Sequence, residues 1–193
     1  MIYAQSAEIE FMAEQYPELS TELTEFIHRQ QMYFVATAAQ DGRVNLSPKG
    51  QDSLRVLGPT TLLWQNLTGS GNETAAHLLD RNRMTIMWCA FEGLPRILRV
   101  YGHAQTIHPR DDEWSECAQI IPEQTGTRQY FKMTVDLVQT SCGYAVPLMD
   151  YRQQRDVLEK WADKRGRSGI RDYWQEKNVR SLDGLPTRVL HDE

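Results

Sequence analysis

The chain has 193 residues, of which 40% are hydrophobic and 24% are charged, and its formal net charge is -5. No apolar run approaches the roughly 20 residues of a membrane-spanning helix, so the composition excludes a helical membrane protein, and it also excludes a disordered chain. An acidic chain has no general attraction for nucleic acid or anionic lipid, and an anionic ligand therefore requires a local site of positive charge.

The cysteine and histidine patterns give no sign of metal or thiol chemistry. The three cysteines form no C-x-x-C pair, and the five histidines show no H-x-x-x-H spacing, so neither a metal site nor a catalytic thiol is predicted. The first 30 residues lack the basic and apolar segments of a secretory signal. Together these features predict a cytoplasmic protein.

Helices are expected at the start of the chain. Apolar side chains between residues 6 and 31 recur at helical spacing, and Pro17 divides them into two helices. The period then becomes that of β-strands, and the Asp41-Gly42 turn is typical of a hairpin. Strands are predicted over residues 33–38, 44–47, 53–57, 61–65, 84–91, 96–107 and 129–140.

Further helices are predicted over residues 72–82, 111–121 and 150–178, the last with a break at Gly166 and Gly169. Strands joined mostly by short turns predict a mainly β fold with flanking helices, either a closed antiparallel barrel or a sandwich. On this pattern the chain divides into a strand-rich domain over residues 1–149, with its N-terminal helices, and a helical C-terminal extension over residues 150–193.

A hydroxyl, a lysine and a glycine gather at the end of the second predicted strand. They suit an anion, but they equally form an ordinary turn in which proline and glycine set the geometry and lysine adds solubility. The residues of this candidate are Asn45, Leu46, Ser47, Pro48, Lys49 and Gly50.

A glycine- and hydroxyl-rich loop follows the fourth predicted strand and opens a helix. Backbone N–H groups at a helix N-terminus form a natural phosphate cradle. Ser70 and Glu73 also match a capping box, which would satisfy those groups within the helix itself. The candidate residues of the strand end and the loop are Trp64, Gln65, Asn66, Ser70, Gly71, Asn72, Glu73 and Thr74.

Arginines and tryptophans of the strands are weaker candidates. Arg96 and Arg99 stand three apart in one strand, so their side chains project to opposite faces and at most one of them faces a given pocket. Trp64 and Trp88 are suited either to hold a flat heterocycle or to pack in the core of a barrel.

Four blocks, taken in order, resemble the pyridoxamine 5'-phosphate oxidase-like family. They are residues 34–38, 44–50, 67–74 and 89–99, and the similarity covers about residues 20–150. The resemblance implies a six-stranded antiparallel split β-barrel that binds FMN. It also implies a homodimer with two FMN molecules in clefts at the interface, to which both chains contribute.

The same resemblance assigns cofactor-binding roles to the candidate residues. Along the flavin and its phosphate side it places Ser47, Pro48, Lys49 and Gly50. Along the ring and the ribityl chain it places Trp64, Gln65 and Asn66, and at the phosphate Ser70, Gly71, Asn72, Glu73 and Thr74. Arg96 and Arg99 match the basic pair of a later strand in the family.

The sequence also departs from the oxidase itself. The oxidase carries an Arg-Lys pair where this chain has Gly71-Asn72-Glu73, and a glutamine where it has Ile97. A less basic flavin site is therefore expected, and pyridoxamine phosphate is not the expected substrate. The resemblance implies an FMN-dependent oxidoreductase acting on a small organic substrate, with the hydride chemistry supplied by the flavin and no general base assigned.

Two alternatives stay open at this point. One is a non-catalytic flavin- or haem-binding module for sensing or storage, for which His77 is the histidine nearest in sequence to the phosphate loop. The other is a deazaflavin in place of FMN.

Overall fold

The architecture is taken from a computed structural model, which describes residues 13–190. Within these residues the strands are β1 (Glu14–Tyr16), β2 (Tyr33–Thr37), β3 (Asn45–Lys49), β4 (Leu54–Gly58), β5 (Thr61–Leu67), β6 (Met84–Cys89), β7 (Arg96–Ile107) and β8 (Thr127–Cys142). The helices are α1 (Thr21–Arg29), α2 (Glu73–Asp80), α3 (Trp114–Ile120) and α4 (Val157–Lys177). No helix of this part of the chain is both long and apolar enough to cross a bilayer.

The strands form one antiparallel sheet in the order β3-β2-β6-β7-β8-β5-β4, with β1 paired to β8. The sheet curls on itself, because side chains of β2 and β4 belong to the same core and the Tyr33 hydroxyl lies 2.8 Å from the Ser53 hydroxyl just before β4. The fold is thus mainly β with flanking helices and has the form of a split barrel, as expected.

Two details of the expectation are wrong. The described residues contain eight strands rather than six. The segment before Pro17 ends as a strand, not as a helix, because β5 covers the edge of β8 only as far as Thr134 and β1 pairs with the open edge at Val138–Thr140. The rest of the first expected helix, residues 6–12, lies outside the described residues.

Alternating burial along the strands produces the barrel core. In β2, for example, Tyr33 and Val35 are buried while the intervening residues are partly exposed. Helix α1 adds Leu23 and Phe26 to the same core from one end, and α2 adds Ala75. Each large apolar side chain buried in this way contributes roughly 1.5–3 kcal/mol.

A bulge and a glycine allow β7 and β8 to remain paired along most of their length. The register shifts between Tyr101 and Gly102, and a Cβ on Gly102 would lie 1.9 Å from the carbonyl oxygen of Thr134. Only glycine fits this approach of the two backbones.

The remaining helices build two satellite cores on the barrel. Helix α3 covers Leu63, Ile107 and Tyr130 on the outer face of the sheet. Helix α4 contributes a third core around Ile170 and Trp174. The expected break in α4 is confirmed, since Gly166 has a φ of 66° and a non-helical ψ of 172°.

Candidate functional site

Two cavities meet at the open side of the barrel, between β3 and β5. The larger has a volume of about 1180 Å³ and the smaller of about 680 Å³. Lys49, Asn66, Leu67 and Gly69 line both of them. A single elongated ligand with a charged end and a flat end therefore has room to occupy both cavities.

Strand β3 aims its polar side chains at these cavities. Along the strand, Asn45, Ser47 and Lys49 are half-buried, while Leu46 and Pro48 between them are exposed. Asn45 and Ser47 line the smaller cavity, and Lys49 lines both. The period of two thus gathers three polar groups on one face of the strand.

Lys49 has an unusual electrostatic environment. Its ammonium lies 5.3 Å from the centroid of the Trp64 ring, a cation–π contact at the base of the larger cavity. Burial, and to a smaller extent the nearby positive charge of Arg128, lower the pKa of Lys49 to about 8. A bound anion would relieve both effects.

The N-terminus of α2 forms one wall of the smaller cavity. The N-cap residue Asn72 makes no side-chain capping bond. The capping-box alternative is wrong, because the Glu73 carboxylate accepts instead from the backbone N–H of Leu182, at 3.0 and 3.1 Å. Within residues 13–190 no side chain therefore caps the first turn of α2, which leaves its dipole available to an anion in the cavity.

Arg128, at the start of β8, is the principal residue that the sequence pattern missed. It is only 3% exposed and lines the smaller cavity. Its Nη1 donates to the Gly71 carbonyl at 3.0 Å and to Asn178 Oδ1 at 2.7 Å, and its Nε has no partner within residues 13–190. No carboxylate of the described chain pairs with it.

A buried arginine without an ion-pair partner is costly, and burial lowers the pKa of Arg128, an effect that the charges of Tyr173 and Glu73 offset only in part. Arginine nevertheless stays charged under physiological conditions. Arg96 differs, because it forms an ion pair of 2.7 Å with Glu22. Of these two arginines, Arg128 is therefore the one that an anionic ligand would stabilise by supplying a counter-charge.

Other buried polar atoms around the cavities also lack partners. Asn72 donates to Gln129 Oε1 at 3.3 Å, which leaves the remaining amide atom of each side chain without a partner in the part of the chain that the structure describes. Gln65 donates to the Pro122 carbonyl at 2.7 Å, and its Oε1 has no partner. Since buried polar groups are nearly always hydrogen-bonded, this concentration fits a site completed by a polar ligand or by water.

The larger cavity has a mixed wall of aromatic, apolar and charged groups. Trp64 is 2% exposed, stacks on Phe131 with ring centroids 4.7 Å apart, and belongs to the barrel core as well as to the cavity wall. The core-packing interpretation of Trp64 is thus confirmed, and its role beside a flat heterocycle stays a prediction. Arg96 lies over Phe26 at 5.8 Å on the same wall, and the segment before α4 adds Tyr151.

Most of the predicted site residues converge on the two cavities. Lining the larger one are Pro48, Lys49, Gly50, Trp64, Gln65, Asn66 and Arg96, and lining the smaller one are Ser47, Lys49, Asn66, Ser70, Gly71, Asn72, Glu73 and Thr74. Arg99 lines neither cavity and donates to the Ser141 hydroxyl at 3.0 Å. Trp88 lies in the barrel core.

Histidines do not contribute to the cavities in the described part of the chain. His77 is 1% exposed, and its Nδ1 lies 3.1 Å from the Thr37 hydroxyl. No histidine between residues 13 and 190 lines either cavity, and no group of three or more His, Cys, Asp or Glu there is placed to hold a metal ion. An axial haem ligand from His77 therefore has no support in this geometry.

Comparison with known proteins identifies the family of this chain. A family model described as pyridoxamine 5'-phosphate oxidase matches residues 19–142, which include seven of the eight strands and all three helices before α4. The chain belongs to the pyridoxamine 5'-phosphate oxidase family. The resemblance found in the sequence is confirmed.

A curated relative agrees with this assignment, and two solved structures share the fold. The pyridoxamine 5'-phosphate oxidase family protein ustO of Aspergillus flavus is 34% identical over 189 residues, which cover 89% of this chain and 76% of that protein. A variant of HupZ from Group A Streptococcus has a TM-score of 0.51 at 20% identity, covering 63% of this chain and 98% of the other.

The second structure, described as a putative pyridoxamine 5'-phosphate oxidase from Lactobacillus delbrueckii, has a TM-score of 0.51 at 17% identity. It covers 64% of this chain and 94% of the other. At these identities the two structures support the barrel fold of this family member and say nothing of its substrate.

Proposed function

We propose that this family member binds FMN, with the phosphate in the smaller cavity and the ring system in the larger one. The observation that carries the proposal is the buried Arg128, which lies beside Lys49 in the smaller cavity and forms no ion pair with a carboxylate of residues 13–190. A phosphate with nearly two negative charges is a ligand that matches one buried and one half-buried cation.

Each wall of the smaller cavity has a part in this arrangement. Arg128 and Lys49 supply positive charge, and the first turn of α2 supplies the positive end of a helix dipole. Ser47 and Thr74 add hydroxyl groups. The net charge of -5 disfavours anions in general, so these local donors must account for the affinity.

The proposed reaction is an oxidation or reduction of a small organic substrate in the larger cavity. A bound flavin supplies the hydride chemistry, and the protein supplies binding, orientation and exclusion of water. In this proposal Trp64 forms one wall beside the ring, while Arg96, Phe26 and Tyr151 border the space left for substrate.

We also propose a homodimer in which each chain completes the flavin cleft of the other. The support is the set of large apolar side chains that the single chain leaves exposed, including Leu46 (63%) on edge strand β3, Val44 (71%) just before it, and Leu148 (80%) beside Met149 of the larger cavity. Sedimentation velocity should give twice the chain mass. A flavin-loaded monomer at micromolar concentration would overturn this part.

The test of flavin binding is the visible absorption spectrum of the purified protein, followed by denaturation and identification of the released compound. A two-band yellow spectrum with FMN released is the expected result. A Soret band, a released deazaflavin, or a colourless protein that takes up no added FMN would overturn the proposal.

The redox half of the proposal has its own test. Under anaerobic conditions the bound flavin should bleach on addition of NADH, NADPH or an oxidisable amine. A flavin that none of these donors reduces would instead indicate a non-catalytic flavin-binding module.

A further inference from the structure

Asn178, the C-cap residue of α4, connects the end of this helix to β8 and to the loop before α2. It is 0% exposed and does not line the smaller cavity. Its Oδ1 accepts from Arg128 at 2.7 Å, and its Nδ2 donates to the Gly69 carbonyl at 3.1 Å. One side-chain amide thus joins the arginine of β8 to the loop before α2.

The orientation of Arg128 depends on this contact. Both hydrogen bonds of the guanidinium are made by Nη1, to Gly71 and to Asn178. Because Asn178 is a neutral acceptor, it holds the guanidinium in place without neutralising its charge. An aspartate at the same position would hold it equally well but would supply the counter-charge itself.

Helix α4 and the tail after Asn178 make further contacts with the barrel around the smaller cavity, which Arg180, Ser181 and Leu182 of the tail line. Trp174 donates from its indole N–H to the Thr68 hydroxyl at 2.8 Å, and the Thr187 hydroxyl donates to the Asn178 carbonyl at 2.6 Å. Arg43 on the barrel pairs with Asp183. The C-terminal extension is therefore built into the wall of the smaller cavity.

We infer that Asn178 is a positioning residue, which keeps Arg128 oriented and charged for the phosphate group of the bound flavin. The C-terminal extension is then part of the cofactor site, not a separate appendage. This inference rests on the proposed flavin function and gives a residue at the end of α4 an indirect part in phosphate recognition, through Arg128.

The test compares FMN with riboflavin, which lacks the phosphate, as ligands of the flavin-free protein. Asn178→Asp keeps the shape and the acceptor for Arg128 but neutralises the guanidinium and loses the donor to Gly69. The preference for FMN over riboflavin should fall about tenfold or more, since a charge-assisted contact is lost. Riboflavin affinity should change less than threefold.

Gln175→Glu is the matched control, because it adds the same charge at an exposed position of α4 outside both cavities. It should leave the FMN preference unchanged. Asn178→Ala is a second variant that removes the acceptor without adding charge, and thermal unfolding monitors the folding of each protein. In Asn178→Ala the FMN preference should also fall.

The outcomes separate this inference from the proposed function. If the wild type prefers FMN and folded Asn178 variants keep that preference, or lose FMN and riboflavin affinity in equal proportion, the positioning role is wrong and the flavin function stands. If the wild type binds neither flavin, the proposed function fails and the inference fails with it.

Discussion

The Lys49 ammonium lies 5.3 Å from the centroid of the Trp64 ring; Lys49 lines both cavities, and Trp64 lines the larger one. In the smaller cavity Lys49 lies near Arg128 and the N-terminus of α2. In the larger cavity it lies beside Trp64. This position makes Lys49 the link between the proposed phosphate and ring subsites.

Replacement of Lys49 by alanine should weaken FMN binding by about 1–3 kcal/mol, the magnitude of a charge-assisted hydrogen bond. Isothermal titration calorimetry of the flavin-free protein measures the effect. Riboflavin affinity should fall much less. Unchanged FMN affinity would show that the lysine does not contact the phosphate.

FMN affinity should fall as the pH rises above about 8. Burial and Arg128 lower the pKa of Lys49 to about 8 in the free protein, and a bound phosphate favours the charged form, so binding takes up a proton above that pH. The loss should approach tenfold per pH unit. Titrations between pH 7 and 9 test this, and Lys49→Arg should flatten the profile.

The same shift predicts the pH dependence of stability. The folded-state pKa of Lys49 lies below the unfolded value, so the unfolded chain binds more protons between about pH 8 and 10. The contribution of Lys49 to the free energy of unfolding of the flavin-free protein should therefore rise over this range. Urea denaturation of the wild type and of Lys49→Met separates it from other groups, and a difference between the two that does not change with pH would contradict the shift.

Arg128→Met should reduce FMN affinity by about 2–5 kcal/mol, since a buried charge pair loses one partner. A ligand that binds only the folded state raises the melting temperature, so FMN should stabilise the wild type far more than this variant. Differential scanning calorimetry measures the melting temperatures of the wild type and of Arg128→Met with FMN and with riboflavin. Arg83→Met, at an exposed position before β6, is the control for the loss of charge; equal stabilisation of the two variants by FMN would refute the role of Arg128.

Gly102→Ala should destabilise the barrel by about 1–3 kcal/mol or more, as overpacking of a tight site does. The added Cβ would lie 1.9 Å from the Thr134 carbonyl oxygen, so β7 and β8 must separate at their bulge. Gly58→Ala is the matched control, because nothing lies within 4 Å of a Cβ there. Equal free energies of unfolding for the two variants would contradict the close approach.

Local pattern was sufficient for most of the sheet. The Asp41-Gly42 turn and the alternation around it predicted the β2-β3 hairpin, which pairs from Tyr33 with Lys49 to Thr37 with Asn45. β7 was predicted with its observed bounds, Arg96–Ile107. β1 was missed because its strand form depends on an open edge of β8, about 120 residues away.

In the site, too, the residues with a local sequence signal were predicted and those that depend on distant contacts were not. Lys49 and the α2 loop were visible in the sequence because glycine, proline and hydroxyl groups mark them locally. Arg128 was missed because its approach to the loop depends on the pairing of β5 with β8, in which Asn66 lies opposite Gln129. The available signal was a single arginine at the start of a strand with a long buried run.

Asn178 carried no local signal at all. It is one polar residue at the end of a helix, and its role follows from contacts with Arg128 and Gly69, which lie 50 and 109 positions away in the chain. Spacing along the sequence does not encode such contacts.

The most direct test of the account is a crystal structure of the protein with FMN bound. We expect the phosphate between β3, the N-terminus of α2 and the tail, in contact with Arg128 and Lys49, and the ring beside Trp64 in the larger cavity. A phosphate that faces solvent, or a flavin bound away from both cavities, would contradict it.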